Sequence, residues 1–336
     1  MLDTLDGGMV SLVNRFSNGV VIPRLKPFQP PPKTAVPEPQ APPPRSHGPS
    51  QAAILGVDLG GTQVRVGKVR AGVVERRAAS PISSQGSAEV VAGELYRAID
   101  DLFDAEVTGI GCGVPSVVDL ERGVVYGVEN IPSWQAVPLR EQLERRYGVP
   151  VHVNNDANAF AVGELYFGAG RGFRHLVGLT LGTGLGAGVV VDGRLYSGAN
   201  CGAGELGAMP YRAHTIEHYC SGAFFQREAG IRGEEAFRRA EAGDAAAIEL
   251  FEQLGHELGH AVMVVLYAYD PELIVLGGSI SAALRFFERS LRERLREYPW
   301  PHVVERLHIA ASAVENAAVL GAAALWIDAT NGAPGP

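Results

Sequence analysis

The sequence predicts an α/β protein built from two similar lobes. Three observations carry this. Short apolar strands alternate with stretches of helical spacing along most of the chain. One strand–turn–strand pattern occurs twice. Several strands end in glycine or proline turns, the way open α/β sheets deliver loops to a ligand crevice. The 336 residues suffice for two lobes.

Residues 1–52 stand apart. Half of the 22 prolines fall there, in runs such as Pro30-Pro31-Pro32 and Pro42-Pro43-Pro44. Proline fixes φ and removes a donor, so a disordered, proline-rich extension is expected. Its start is not basic and no long apolar run follows, which argues against a secretion signal. It shows no helix-turn-helix pattern.

The first repeat spans 54–69. Ile54, Leu55 and Val57 read as a buried strand, Asp58 follows, Gly60-Gly61-Thr62 turns the chain, and Val64 and Val66 alternate on the way back. Adjacent glycines let a bulky anion reach backbone N–H groups. A carboxylate just ahead of the turn can hold hydrated Mg²⁺ against that anion. An ordinary glycine hairpin has the same signature, but residues 176–191 repeat it. Gly56 falls on Gly178, Leu59 on Leu181, Gly60 on Gly182 and Val69 on Val191. Two such clamps, Gly60-Gly61-Thr62 and Gly182-Thr183-Gly184, would hold one polyphosphate between the lobes.

Between the repeats, apolar spacing predicts a helix over 88–103, a strand over 107–114, a helix over 138–146 and a strand over 149–153. That last strand runs into Asn154-Asn155-Asp156-Ala157-Asn158 and a helix. Asp156 at such a junction has two readings: a helix N-cap, or a general base for an attacking hydroxyl. The flanking asparagines can cap equally well.

Beyond the second repeat, Gly204-Glu205-Leu206-Gly207 reads as a glycine-dense loop around one carboxylate. His256-Glu257-Leu258-Gly259-His260 matches the zinc-protease spacing. It lies inside an apolar helical stretch from Ile248 to Leu266, so a pair of helix-face histidines is expected. Leu273–Leu276 is a strand ending in Gly277-Gly278, a turn suited to the adenosine end of a nucleotide. A helix over 284–297, a strand over 303–310 and a small-residue helix over 315–325 complete the chain.

The formal net charge of −8 gives no nucleic-acid footprint. No apolar run reaches membrane-spanning length. Cys112, Cys201 and Cys220 are scattered and odd in number, so no disulfide framework and a reducing, cytoplasmic compartment are expected.

Seven motifs in order resemble the sugar kinases of the repressor–open reading frame–kinase (ROK) family: Asp58-Leu-Gly-Gly-Thr62; Gly113-Val-Pro115 to Asp119; Asn130 before Trp134; Asn155-Asp156-Ala-Asn158; Leu181-Gly-Thr-Gly184; Gly204-Glu205-Leu-Gly207; and Leu276-Gly-Gly278. The resemblance covers about residues 53–330. It implies an actin/hexokinase/Hsp70-like fold, a duplicated ribonuclease H-like unit with the active site in the interlobe cleft. The lobes would be 53–157 with 314–330, and 158–313.

It further implies an ATP-dependent hexose kinase, glucokinase- or hexokinase-like, that phosphorylates a sugar hydroxyl such as O6. Asp156 would be the base and Asp58 would lie near Mg²⁺ through water. ATP would meet Gly60, Gly61, Thr62, Gly182, Thr183, Gly184, Gly277 and Gly278. Asn130, Asn155, Asp156, Glu205 and Glu217 would bind sugar. A homo-oligomer, dimer or tetramer, is expected. The alternatives are a sugar-sensing regulator or a non-catalytic sugar-binding protein of the same family.

Two departures stand out. Ala208 takes the place of the family's histidine, and the cysteines of its zinc loop are missing, so no structural zinc is expected. Ser116 stands where glycine is common. The only lysines are Lys26, Lys33 and Lys68, and no Walker A lysine is present.

Overall fold

A computed structural model describes residues 52–332, together with 14–15 and 21–22. The chain divides into two units, Met1–Arg45 and Ser46–Pro336. In the first, Asn14–Arg15 and Val21–Ile22 pair as antiparallel strands. The rest of the expected proline-rich extension up to residue 51 lies outside the described residues.

The second unit opens with three strands, β1 (Ala53–Leu59), β2 (Gln63–Arg70) and β3 (Val73–Pro81), then α1 (Ala88–Asp100) and β4 (Val107–Val114). A small three-stranded sheet follows: β5 (Val117–Asp119), β6 (Val124–Tyr126) and β7 (Ala136–Val137). Then come α2 (Leu139–Tyr147), β8 (Val151–Asn155) and α3 (Asp156–Phe167).

The second half begins with β9 (Leu176–Leu181), β10 (Leu185–Val191) and β11 (Arg194–Leu195). After a 3₁₀ turn at Leu206–Ala208 come the short strands β12 (Pro210–Tyr211) and β13 (His214–Thr215). The helices α4 (Ile216–Cys220), α5 (Ala223–Ala229), α6 (Gly233–Glu241) and α7 (Ala245–Tyr269) lead to β14 (Leu273–Gly277). The chain ends with a 3₁₀ turn at Ser279–Ala283, α8 (Leu284–Leu295), α9 (Pro301–Arg306), β15 (His308–Ala311) and α10 (Ala317–Gly332).

The two large sheets share one plan. The first has the order β3-β2-β1-β4-β8 and the second β11-β10-β9-β14-β15. In each, a central strand pairs antiparallel with its hairpin partner and parallel with the next strand, which in turn pairs parallel with the last. The hairpins differ in one respect. Leu59 pairs with Val64, leaving four residues in the first turn, whereas Leu181 pairs with Leu185, leaving three in the second. The ungapped match of the two repeats therefore holds along β1 and β9 and slips by one residue in the returning strands.

The central strands bury both faces, which is why β1 reads as a nearly unbroken apolar run. One face of the first sheet packs Leu55, Val57 and Ile110 against Leu95, Ile99 and Trp134. One face of the second packs Val177 and Leu179 with Phe251, Leu258 and Phe287. The remaining core runs between the sheets, where Ile54 and Val69 of one and Leu176 and Val275 of the other join Val162 of α3 and Leu320 and Ala324 of α10.

Glycines let these helices sit directly on the sheets. A methyl at Gly56 or Gly111 would lie 1.9 or 1.8 Å from the Val319 or Ala322 carbonyl oxygen of α10. At Gly188 it would lie 2.3 Å from the Ala157 carbonyl of α3. The helices cross at Gly163 and Gly321, where an added methyl on Gly163 would meet the Gly321 Cα at 2.7 Å.

One expectation fails. Residues 303–310 are not one strand: Pro301–Arg306 is a helix, and the strand starts at His308. Val303 and Val304 favour strand, but Pro301 at the first helical position has its φ preset and no N–H to leave unpaired.

Candidate active site

Asp58 and Asp156 are brought together by the parallel strands β1, β4 and β8, whose carboxyl ends share one edge. Asp58 pairs in register with Gly113, and Asn155 with Val114. A methyl on Gly113 would come 3.6 Å from the Asp156 Cα. From the other sheet, one on Gly186 would come 2.9 Å from the Ala157 Cβ. The start of α3 is therefore held between the two sheets.

Asn155 caps that helix. Its Oδ1 accepts from Ala157 N at 2.8 Å and Asn158 N at 3.3 Å, and its Nδ2 donates to the Ser116 carbonyl at 3.4 Å. The cap is thus supplied by the neighbour, although Asp156 also accepts from Ala157 N at 2.8 Å. Behind them, Asn154 Oδ1 accepts from Asn158 Nδ2 at 2.9 Å, and Asn154 Nδ2 donates to Ser197 Oγ at 3.1 Å.

Asp156 is reached by solvent, yet protein crowds its carboxyl. Partial dehydration first, then the like charges of Asp58 and Glu205, push its pKa up to about 6 against the Ala157 hydrogen bond. Asp58 is also raised, by burial, although Arg65 Nη1 donates to it at 2.9 Å. Two oxygen-bearing acids so placed suit a hard divalent cation such as Mg²⁺.

The first turn, Gly60-Gly61-Thr62, is closed by Gly60 N donating to Gln63 O at 2.9 Å. Asn130 rests on it: a methyl on Gly61 would lie 2.5 Å from the Asn130 Cβ. The second turn is closed by Gly182 N donating to Gly184 O at 3.0 Å. Glu205 is exposed on a loop that lies on β10, because Gly204 and Gly207 let it approach the Ala187 and Leu185 carbonyls. Glu217, in the first turn of α4, accepts from Leu185 N at 2.8 Å.

Gly277 and Gly278 serve packing first. Gly277 is buried under the Phe160 ring, and Gly278, at φ 79°, lies against the Leu181 backbone. Beside them is a cavity of about 620 Å³ that begins at Gly182 and Thr183. Gln226, Arg232, Phe237 and Ile280 line it. The sequence did not single out these four; they come from separate elements and share no motif.

His256-Glu257-x-x-His260 lies on α7. Glu257 pairs with Arg212 at 2.9 Å, and the His260 ring stacks on Tyr211 at 3.9 Å. The segment after Ala208 is a tight hairpin, β12–β13, packed by stacked His214 and His218 and by Arg212 over the Tyr211 and Tyr219 rings. Among the described residues, no group of three or more His, Cys, Asp or Glu side chains is placed to hold a metal. Cys112, Cys201 and Cys220 are buried free thiols.

Duplicated sheets, two glycine turns and a carboxylate at the head of the helix between them define an actin-like ATPase fold of the sugar-kinase type. The chain belongs to the ROK family, whose model matches residues 54–329. It is 32% identical to a glucokinase of Thermotoga maritima over 81% of this chain and 96% of that one. It is 31% identical to an N-acetyl-D-glucosamine kinase of Photobacterium profundum over 79% and 98%. Among solved structures, a Streptomyces griseus ROK glucokinase in complex with glucose and AMPPNP superposes with a TM-score of 0.69 at 28% identity, covering 81% of this chain and 98% of that one.

Proposed function

We propose that this chain, an ATP-dependent sugar kinase of the ROK family, transfers the ATP γ-phosphate to a hexose hydroxyl, O6, with Asp156 as general base. The supporting observation is the position of Asp156: at the head of α3, between both sheets, beside Asp58, with its pKa raised to about 6. A base of that strength is mostly ionised at neutral pH yet close enough to it to accept a hydroxyl proton.

Asn130, Asn155, Glu205 and Glu217 hold the sugar so that O6 faces the γ-phosphorus in line. The turns at Gly60–Thr62 and Gly182–Gly184 direct backbone N–H groups at the phosphates, and Gly278 with the adjoining cavity takes the adenosine. With no Walker A lysine, these N–H groups carry much of the charge stabilisation. Asp58 would hold Mg²⁺ through water, and the ion when bound neutralises phosphate charge. Residues 53–157 with 314–330 form one lobe and 158–313 the other. Their closure excludes water and limits ATP hydrolysis.

The similarity to both a glucokinase and an N-acetyl-D-glucosamine kinase supports glucose or a close relative as acceptor. Ala208, in place of the family's histidine, leaves the choice to experiment. ADP release with Mg-ATP is measured across glucose, mannose, fructose, N-acetylglucosamine and a no-sugar control. The expected result is turnover on one or two of them. Sugar binding without turnover on any would overturn the kinase reading in favour of a sensor.

A further inference from the structure

The carboxylate of Glu217 is seated against the second glycine turn. Its Oε2 accepts from Leu185 N at 2.8 Å, and Leu185 is the residue that closes the second glycine turn. A methyl on Gly184 would fall 2.5 Å from Oε2 and 3.9 Å from Oε1, so the turn is shaped around this side chain and Oε1 is the oxygen farther from it. Two residues past the end of α4, Gly222 N donates to Gly182 O of the same turn at 2.7 Å. The loop that carries Glu205 closes the circuit. A methyl on Gly207 would meet the Leu185 carbonyl at 2.4 Å and the Glu217 Cβ at 3.5 Å. Glu217 of α4 and Gly222, which follows the helix, thus hold the turn at two points, and Glu217 also touches the loop that carries Glu205.

We infer that Glu217 is a positioning residue that couples acceptor to donor. A sugar hydroxyl on Oε1 and the Leu185 N–H on Oε2 share one carboxylate. Either partner fixes its rotamer, and the second then binds without that ordering cost. Bound sugar would hold Gly182–Gly184 in its phosphate-binding shape, and bound ATP would tighten sugar by the same factor. The site would then be complete for transfer only when an acceptor is seated. This inference rests on the sugar-kinase reading above.

The test is calorimetric titration of Mg-AMPPNP into the full chain without sugar and with increasing D-glucose, or with whichever sugar turns over. The wild type is expected to bind the nucleotide about 5- to 150-fold more tightly with sugar, the usual span of such coupling. Glu217→Ala removes both carboxylate oxygens, and with them the shared contact, and is expected to bring that factor to near one. Gly184→Ala pushes on Oε2 from the turn side and should lower the factor too, which leaves a second route if Glu217→Ala binds sugar too weakly to saturate. Thermal melts identify any variant that has not folded, and the folded one then decides.

A wild-type factor near one, or an undiminished factor in the folded variants, overturns the coupling. Turnover with no coupling would leave the kinase reading standing. Coupling with no turnover on any sugar would sink that reading and keep Glu217 as the link between two ligands.

Discussion

At the scale of single residues, Asp156 carries the sharpest expectations. A base with a pKa near 6 must be ionised to work, so kcat/KM should fall with decreasing pH through about 6 in a steady-state profile. Asp156→Ala should abolish turnover while sugar binding, followed by intrinsic fluorescence, stays largely intact. The raised pKa also has a sign for stability. The folded protein holds this proton more tightly than the unfolded chain, so the contribution is fully present below the ordinary value of 3.8 and lost as pH rises through about 6. Asp156→Asn should therefore melt above wild type at pH 8, with the gap closing near pH 4.

Asn155→Ala should lose about 1 kcal/mol in urea unfolding through its missing cap. The sequence left this part open, because Asn155 and Asp156 stand side by side and either can cap the helix; the structure gives the cap to Asn155. The Phe160 ring over Gly277 was not legible at all. Nothing in Gly277-Gly278 distinguishes a glycine that meets ligand from one that makes room for a side chain over a hundred positions away.

At the scale of elements, the helix–sheet contacts decide what can be changed. Gly56→Ala and Gly111→Ala would drive a methyl into a carbonyl of α10, and each should cost about 1–3 kcal/mol or more in urea unfolding. Gly93, inside α1, provides the contrast: an added methyl meets nothing within 4 Å. Gly93→Ala should stabilise by roughly 0.5–1 kcal/mol through helix propensity alone. Periodicity placed α1, α7 and α8 because long helices repeat their apolar spacing over several turns, whereas α3 and α10, apolar or small nearly all round, were read from the motifs and residue types at their starts. It misread α9 because six residues with two valines carry too little pattern, and the one informative residue, Pro301, stands at the boundary.

For the whole molecule, the repeated glycine turn pointed to two like halves, and the sheets share order and direction. The one-residue difference between their turns escaped an ungapped comparison, since loop length is set by strand register and not by the glycines themselves. The cavity beside Gly278 was illegible for a related reason: it is assembled from α5, α6, α7 and the turn after β14, which meet only in the folded chain. Removing divalent cations with EDTA should stop turnover and restore it on adding Mg²⁺. With no cluster among the described residues built to hold a structural metal, the melting temperature should move by less than a degree or so, about the noise of a small stability change.

The crossing of α3 and α10 at Gly163 and Gly321 has a consequence for how such a sequence can drift. Two side chains in contact can change together, one growing as the other shrinks, and generations of such exchanges erase the original pair. Two backbones in contact have nothing to exchange. In a saturation library, that crossing should tolerate almost no alternatives singly or in pairs, while Val90 on the exposed face of α1 should accept most polar residues. What fixes this crossing is the absence of side chains, not the choice of them.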